Sequence, residues 1–338
     1  MNFVILLLQI YYDTGDIELK KTTLACVVLL LMLVAGCDDD RKQSPTPTTQ
    51  TFINIATGGA QGTYQPLGMA LADILNKEIP GINASAQMTS ASVINIDLLS
   101  KKKVEIAFTQ SDIAYYAFYG IEMFDKNKIS NIKGLISLYP ETLQIITNRA
   151  SGIKTIDDIK GKRVAVGAAG SGTEANARKI LNLYGISFKD IDVQYLSFND
   201  SSSGLKNQTT DVVFATAGYP TLFIEELLTK SDVVLLPIEE EKLDILVEKY
   251  PFYSKQVIPA NTYAGQDKPV SSLSVMAILA VNDKIDDELG YKITKVIFAN
   301  IDKLKAAHDA GKEISIENAK KSMTLPFNKG AENFLNSK

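Results

Sequence analysis

Arg163-Val164-Ala165-Val166-Gly167-Ala168-Ala169-Gly170-Ser171-Gly172-Thr173-Glu174 runs from a short β-rich stretch through glycines into a segment whose apolar residues recur at helical spacing. There Ala177, Ile180, Leu181 and Tyr184 share one face, and Gly185 ends it. A strand feeding an amphipathic helix is half of a βαβ unit, and the chain repeats it. Residues 52–57 lead through Thr57-Gly58-Gly59-Ala60-Gln61-Gly62-Thr63-Tyr64 into a helix predicted over 66–76, where Leu67, Leu71, Ile74 and Leu75 form the covered face. Further strand-like runs at 105–109, 143–147, 193–196, 212–215 and 233–237 alternate with helical patterns. This predicts an α/β fold with mostly parallel sheets. Thr155-Ile156-Asp157-Asp158-Ile159 predicts a short helix capped by the Thr155 hydroxyl, turned into the next strand by Gly161-Lys162.

The chain has 338 residues, 46% hydrophobic and 22% charged, with a formal charge of -4. Those values exclude disorder, collagen-like repetition and a basic nucleic-acid binder, so no nucleic-acid partner is expected. The length allows two lobes. Pro, Gly, Asn and Ser interrupt the periodicity at 143–151 and 259–274, which places lobe 1 at 52–147 plus 260–338 and lobe 2 at 148–259, with 273–281 returning as a strand. Two sequential domains are the alternative.

Both cysteines, Cys26 and Cys37, lie in or beside the first apolar run. Disulfides, thiol catalysis and Cys-ligated zinc are therefore excluded for the folded body, and with a single His no metal or cofactor is expected. Lys20 and Lys21, the apolar residues 22–35 and Val34-Ala35-Gly36-Cys37 read as a signal peptide over 1–36. Asp13, Asp16 and Glu18 place negative charge where a basic region belongs, so residues 1–18 read as a misplaced start, with Leu19 the true initiator. Leu33-Val34-Ala35-Gly36-Cys37 resembles the bacterial lipobox, implying lipidation of Cys37; an uncleaved anchor is the alternative. Residues 37–51, with Asp38-Asp39-Asp40 and Ser44-Pro45-Thr46-Pro47-Thr48-Thr49, read as a lipid-anchored linker.

Both glycine loops open helices, where unpaired N–H groups and the dipole favour an anion. Neither has the spacing of a P-loop or a dinucleotide loop, and a purely structural turn would also account for each. Thr173 is the expected N-cap and Glu174 the partner of Arg178, which leaves Ser171 and the N–H of Gly172 for a ligand. Thr109-Gln110-Ser111-Asp112 ends a strand, where open α/β sheets bind ligands, with Asp112 as a further N-cap. The expected site therefore comprises Gly59, Thr63, Ser92, Gln110, Ser111, Ser171, Gly172 and Thr173, with Tyr64 and Tyr219 covering the apolar part of the ligand or packing as ordinary half-buried residues. Only four arginines occur, Arg41, Arg149, Arg163 and Arg178, and none lies in these loops, although Arg149 could swing in from the crossover. Changing Ser171 or Tyr64 to Ala should then weaken binding with little effect on melting.

No enzyme is expected. The chain lacks a G-x-S-x-G elbow, and its one histidine, His308, extends the Ile297, Ile301 and Leu304 stripe of a helix predicted to 311, where the dipole favours its cation.

Ala56-Thr57-Gly58-Gly59, Tyr64-Gln65-Pro66-Leu67-Gly68, Phe108-Thr109-Gln110-Ser111-Asp112, Leu138-Tyr139-Pro140-Glu141, Gly170-Ser171-Gly172-Thr173-Glu174, Lys249-Tyr250-Pro251-Phe252-Tyr253 and Ile258-Pro259-Ala260-Asn261-Thr262-Tyr263 resemble the TAXI-type solute receptors of TRAP transporters. The resemblance implies a periplasmic-binding-protein type II fold, two α/β lobes with a ligand cleft between them. It further implies a monomer in the periplasm or at the cell surface that passes glutamate, glutamine or a dicarboxylate to TRAP permease membrane subunits. The sequence departs from the pattern at Asn199-Asp200-Ser201-Ser202-Ser203-Gly204, where relatives have an Ala-rich helix, and at Tyr219, where they can carry smaller residues. A receptor serving a membrane sensor kinase is the alternative.

Overall fold

The computed structural model describes residues 50–338. The expected signal peptide, the start at Leu19, the lipidated Cys37 and linker residues 37–49 lie outside the described residues. No helix among the described residues is long and apolar enough to cross a membrane.

Strand β1 (Thr51–Ala56) leads to helix α1 (Tyr64–Glu78), followed by β2 (Ile82–Gln87), α2 (Ser92–Ser100), β3 (Ile106–Gln110) and α3 (Ser111–Tyr119). The long β4 (Ile132–Asn148) then precedes β5 (Arg163–Ala165), α4 (Gly172–Leu183), β6 (Asp192–Gln194), α5 (Phe198–Lys206) and β7 (Val212–Ala217). Next come α6 (Leu222–Lys230), β8 (Val233–Leu236), α7 (Glu240–Lys249), β9 (Ser254–Ile258) and β10 (Val270–Asn282), and the chain closes with α8 (Asp287–Ala299), α9 (Ile301–Ala307) and α10 (Lys329–Asn336).

The main path of the sheet is β2-β1-β3-β10-β4-β7-β5-β6, with β8 on β4 and β9 on β10. The βαβ units expected from the sequence give parallel pairs of β1 with β2 and β3, and of β5 with β6 and β7. The sheet as a whole is mixed, not mostly parallel. Every ladder of β4 and β10 is antiparallel, and these two strands form a spine between a β2-β1-β3 wing and a β7-β5-β6 wing. Only the last part of β4 was expected. The strand is buried along nearly its whole length, so it lacks the alternation that announces a strand, and Pro140 interrupts it. The ladder to β10 accommodates that proline, which pairs with Met276, by a register shift between Met276 and Ile278.

Leu67, Leu71, Ile74 and Leu75 of α1 are all buried, packed with Ile53, Phe108, Ile293 and Phe334 on one wing. Ala165, Val213, Phe223 and Leu227 form a cluster on the other wing. A third cluster runs across both, joining Ile96, Ile113 and Tyr116 to Val164, Ile180 and Phe214. The wings thus share apolar contact through α2, α3 and α4.

Two local expectations reverse. The 3-10 turn Asp157–Ile159 forms, but no side chain caps it: the Asp158 carboxylate instead accepts the N–H groups of Lys154 and Thr155 ahead of the turn, both at 2.9 Å, and these hold it below the usual carboxylate range. Helix α9 ends at Ala307, so His308 does not extend it; Nδ1 accepts the Ala310 N–H at 3.1 Å, and burial lowers the imidazole pKa instead of favouring its cation.

Candidate functional site

A cavity of about 460 Å³ lies beyond the carboxyl ends of β1, β3, β6 and β7. Five helices begin at its wall, since Thr63, Ala91, Gln110, Ser171 and Ser197, the residues preceding α1 to α5, all line it. Their dipoles make that wall electropositive without a cationic side chain, although part of the first-turn N–H groups are already taken, those of Val93 and Ile94 by the Gly170 carbonyl and those of Glu174 and Asp200 by the Ser171 and Ser197 hydroxyls. Among the described lining residues there is no Lys, Arg or His. The Oγ1 atoms of Thr63 and Thr216 and the Oε1 atoms of Gln61 and Gln110 are buried at the site with no hydrogen-bond partner among the described residues, which gives a ligand two hydroxyls and two amide oxygens.

The sequence-derived residues divide. Gly59, Thr63, Tyr64, Ser92, Gln110, Ser171, Gly172 and Thr173 line the cavity; Ser111 and Tyr219 do not. Ser111 is turned into the spine, where its Oγ accepts the Met276 N–H at 3.3 Å. The Tyr219 hydroxyl accepts from Gln256 Nε2 at 2.7 Å and donates to the Val257 carbonyl at 3.4 Å, so it braces β9. Arg149 is also absent from the lining and pairs with Asp232 at 3.1 Å.

Several roles differ from those expected. Ser171, not Thr173, caps α4, its Oγ accepting the Glu174 N–H at 3.1 Å, while Thr173 Oγ1 accepts the Thr216 N–H at 3.3 Å and ties α4 to β7. Glu174 does pair with Arg178, at 2.8 Å. Asp112 is no cap: it lies buried in the first turn of α3, accepts from Asn176 Nδ2 at 2.6 Å, and burial pushes its pKa up to about 6. Tyr64 is buried and donates its hydroxyl to Glu141 Oε2 at 3.0 Å. Ser171→Ala would therefore remove a helix cap and Tyr64→Ala would open a core position, so neither leaves stability untouched.

Glu141 is the one charged lining residue that sequence reasoning missed. It sits mid-β4, and Oε1 also faces the Tyr139 hydroxyl at 3.3 Å. Burial pushes its pKa up to about 8, against the opposing pull of hydrogen bonds from Gln110, Tyr64 and Tyr139. The available signal was a carboxylate inside the otherwise uncharged run from Gly134 to Asn148. Leu196, Phe198 and Thr216, none expected, complete the far wall; Phe198 stacks on Phe223 with centroids 4.6 Å apart.

The wings meet above the cavity. The N–H groups of Val93 and Ile94 donate to the Gly170 carbonyl at 3.1 and 3.2 Å, and Gln61 Nε2 donates to Asn199 Oδ1 at 3.3 Å. The approach demands small residues: a Cβ at Gly172 would lie 2.1 Å from Gln110 Oε1, and one at Gly170, whose φ is +74, would lie 2.9 Å from Ile94.

A family model described as the NMT1-like family matches residues 55–338. Among solved structures the chain is similar to PhnD1 of Prochlorococcus marinus, in complex with methylphosphonate, at 10% identity over 86% of this chain and 97% of that one, TM-score 0.54. It is similar to a Listeria monocytogenes chain described as an L-cystine ABC transporter, at 15% identity over 80% and 99%, TM-score 0.50. A third similarity is to the periplasmic aliphatic sulphonate binding protein SsuA of Escherichia coli, at 18% identity over 85% and 83%, TM-score 0.46. At these identities the likeness concerns the fold, which is of periplasmic-binding-protein type II, as the sequence resemblance implied.

Proposed function

The chain belongs to the NMT1-like family, and from that premise we propose that it is an extracytoplasmic solute-binding receptor that captures a small carboxylate-bearing solute and delivers it to a membrane permease. The observation that carries this reading is the cavity itself, enclosed between two wings, ringed by five helix starts and furnished with buried hydroxyl and amide groups that have no partner among the described residues. Such a wall suits binding, and the reading is of a receptor and not an enzyme. The solute's carboxylate would accept from helix N-terminal N–H groups and from Thr63 and Thr216, with no arginine clamp.

Lobe 1 (52–147 plus 260–338) and lobe 2 (148–259) would part and close about the spine, the solute stabilising the closed form by touching both. The TAXI resemblance supports a TRAP permease pair as the delivery partner and glutamate, glutamine or a dicarboxylate as the ligand set, and the lipobox-like run before Cys37 supports a monomer tethered there by lipid. Contacts from Gly170 to Val93 and Ile94 are the ones closure would make.

A thermal-shift screen against glutamate, glutamine, 2-oxoglutarate, C4-dicarboxylates and neutral sugars tests the reading. One carboxylate should raise the melting temperature by several degrees, since saturation at 100 times Kd stabilises by about 2.7 kcal/mol. Stabilisation by a sugar, or by no carboxylate, would sink it.

A further inference from the structure

Glu141 is what the receptor reading leaves unexplained. The residue is 3% exposed, and it lines a cavity whose described lining contains no Lys, Arg or His. The groups around it are neutral or acidic: Tyr64 from α1 and Tyr139 from its own strand donate hydroxyls at 3.0 and 3.3 Å, Gln110 adds an amide, Asp112 of α3 adds a repulsive charge, and β10 sets Val275 opposite it. Hydroxyl donors orient a carboxylate without neutralising it. A buried carboxylate that no cation in its own wall can pair with is costly to ionise. The helix starts and free hydroxyls elsewhere in the wall, by contrast, suit an anion, so the cavity offers opposite chemistries at different points.

We propose that Glu141 is the specificity-determining residue of the site, receiving a primary ammonium group of the solute and shedding its own proton to solvent as the solute enters. The inference rests on the receptor reading and deepens it: the site then selects amino-acid zwitterions over carboxylates of the same skeleton that lack the amine. Burial, outweighing the hydrogen bonds from Gln110, Tyr64 and Tyr139, holds Glu141 at about 8, so at pH 7 it is mostly the neutral acid, and an ammonium within hydrogen-bond distance restores the carboxylate. The balance is simple. One O–H bond of Glu141 breaks, its proton goes to buffer, and the ammonium keeps its three protons.

Calorimetry on the full chain with two matched pairs, L-glutamate against glutarate and L-glutamine against glutaramate, in buffers of differing ionisation enthalpy, tests this directly. The expected result is that an amino acid binds at least about tenfold tighter than its amine-free counterpart, releases about 0.9 proton at pH 7 for a group titrating near 8, and tightens about tenfold between pH 6 and pH 7. Glu141→Gln should abolish both proton release and the preference for the amine. Equal affinity within the pairs, or proton uptake, overturns the proposal, because uptake would mean that Glu141 stays un-ionised against a ligand carboxylate. The wild-type proton count needs no variant to fold. Should the amine-free acids bind and the amino acids not, the receptor reading survives and this inference fails; should nothing in the screen or the pairs bind, the ligand class of the receptor reading fails as well.

Discussion

Gly172 sets how near the two walls of the cavity come. Its backbone does not need a left-handed conformation, so Ala fits the first position of α4 and raises helix propensity by up to about 1 kcal/mol. The obstacle lies opposite, where the new Cβ would stand 2.1 Å from Gln110 Oε1 and force that side chain out of the site. Gly172→Ala should therefore leave the ligand-free melting temperature unchanged or slightly raised while weakening solute affinity at least about tenfold; unchanged affinity would show that Gln110 yields freely. The loop around Gly172 was readable because glycines between a strand and a helical stripe are a local signal. Which hydroxyl caps was not. Ser171 and Thr173 are two residues apart and both suit the role, and the choice falls to Ser171 because Thr173 is engaged by the Thr216 N–H, a partner 43 residues away. Glu141 escaped for a related reason: its meaning depends on Tyr64, which the chain brings to it from 77 residues away.

Helix α1 shows what local pattern does fix. Four apolar residues at helical spacing predict its buried face, and Leu67, Leu71, Ile74 and Leu75 are each at most 1% exposed. Leu75 packs in the apolar cluster of this wing and is not among the residues that line the cavity, so its role is separable from binding. Leu75→Ala should destabilise by about 2–5 kcal/mol, from lost transfer energy and a residual void, while shifting solute affinity by less than about threefold. Urea unfolding and calorimetry on the same variant check both halves, and a large affinity loss would mean that the core of this wing and the site are coupled. Strands β2, β9 and most of β4 resist the same reading. β2 and β9 are edge strands with mostly exposed or half-exposed residues, and β4 is buried on both faces, so none alternates as a half-covered strand does.

The molecule as a whole carries a pH dependence that follows from where its acids are buried. The parallel units could be read from alternating strands and helices, but the antiparallel spine that buries Glu141 could not, and that burial sets the sign. Glu141 rises from 4.5 to about 8 and Asp112 from 3.8 to about 6, so between those limits the folded chain binds more protons than the unfolded one. Stability must then fall as pH rises through that interval. Opposing groups act lower. Asp158, Asp190 and Asp211 are held below their usual range, so their contribution is present above about 3.8 and is lost as pH falls. His308, lowered by burial, favours folding as pH rises only up to its ordinary value of 6.5. Above that value Asp112 has also titrated, and the interval from about 6.5 to 8 belongs to Glu141, with a limiting slope of about 1.4 kcal/mol per pH unit for one proton. The ligand-free melting temperature should accordingly decline between pH 6.5 and pH 8, and Glu141→Gln should flatten the decline. A wild-type profile that is flat or rising there would mean that the electropositive helix starts hold Glu141 ionised already, and the proton released on binding would disappear with it.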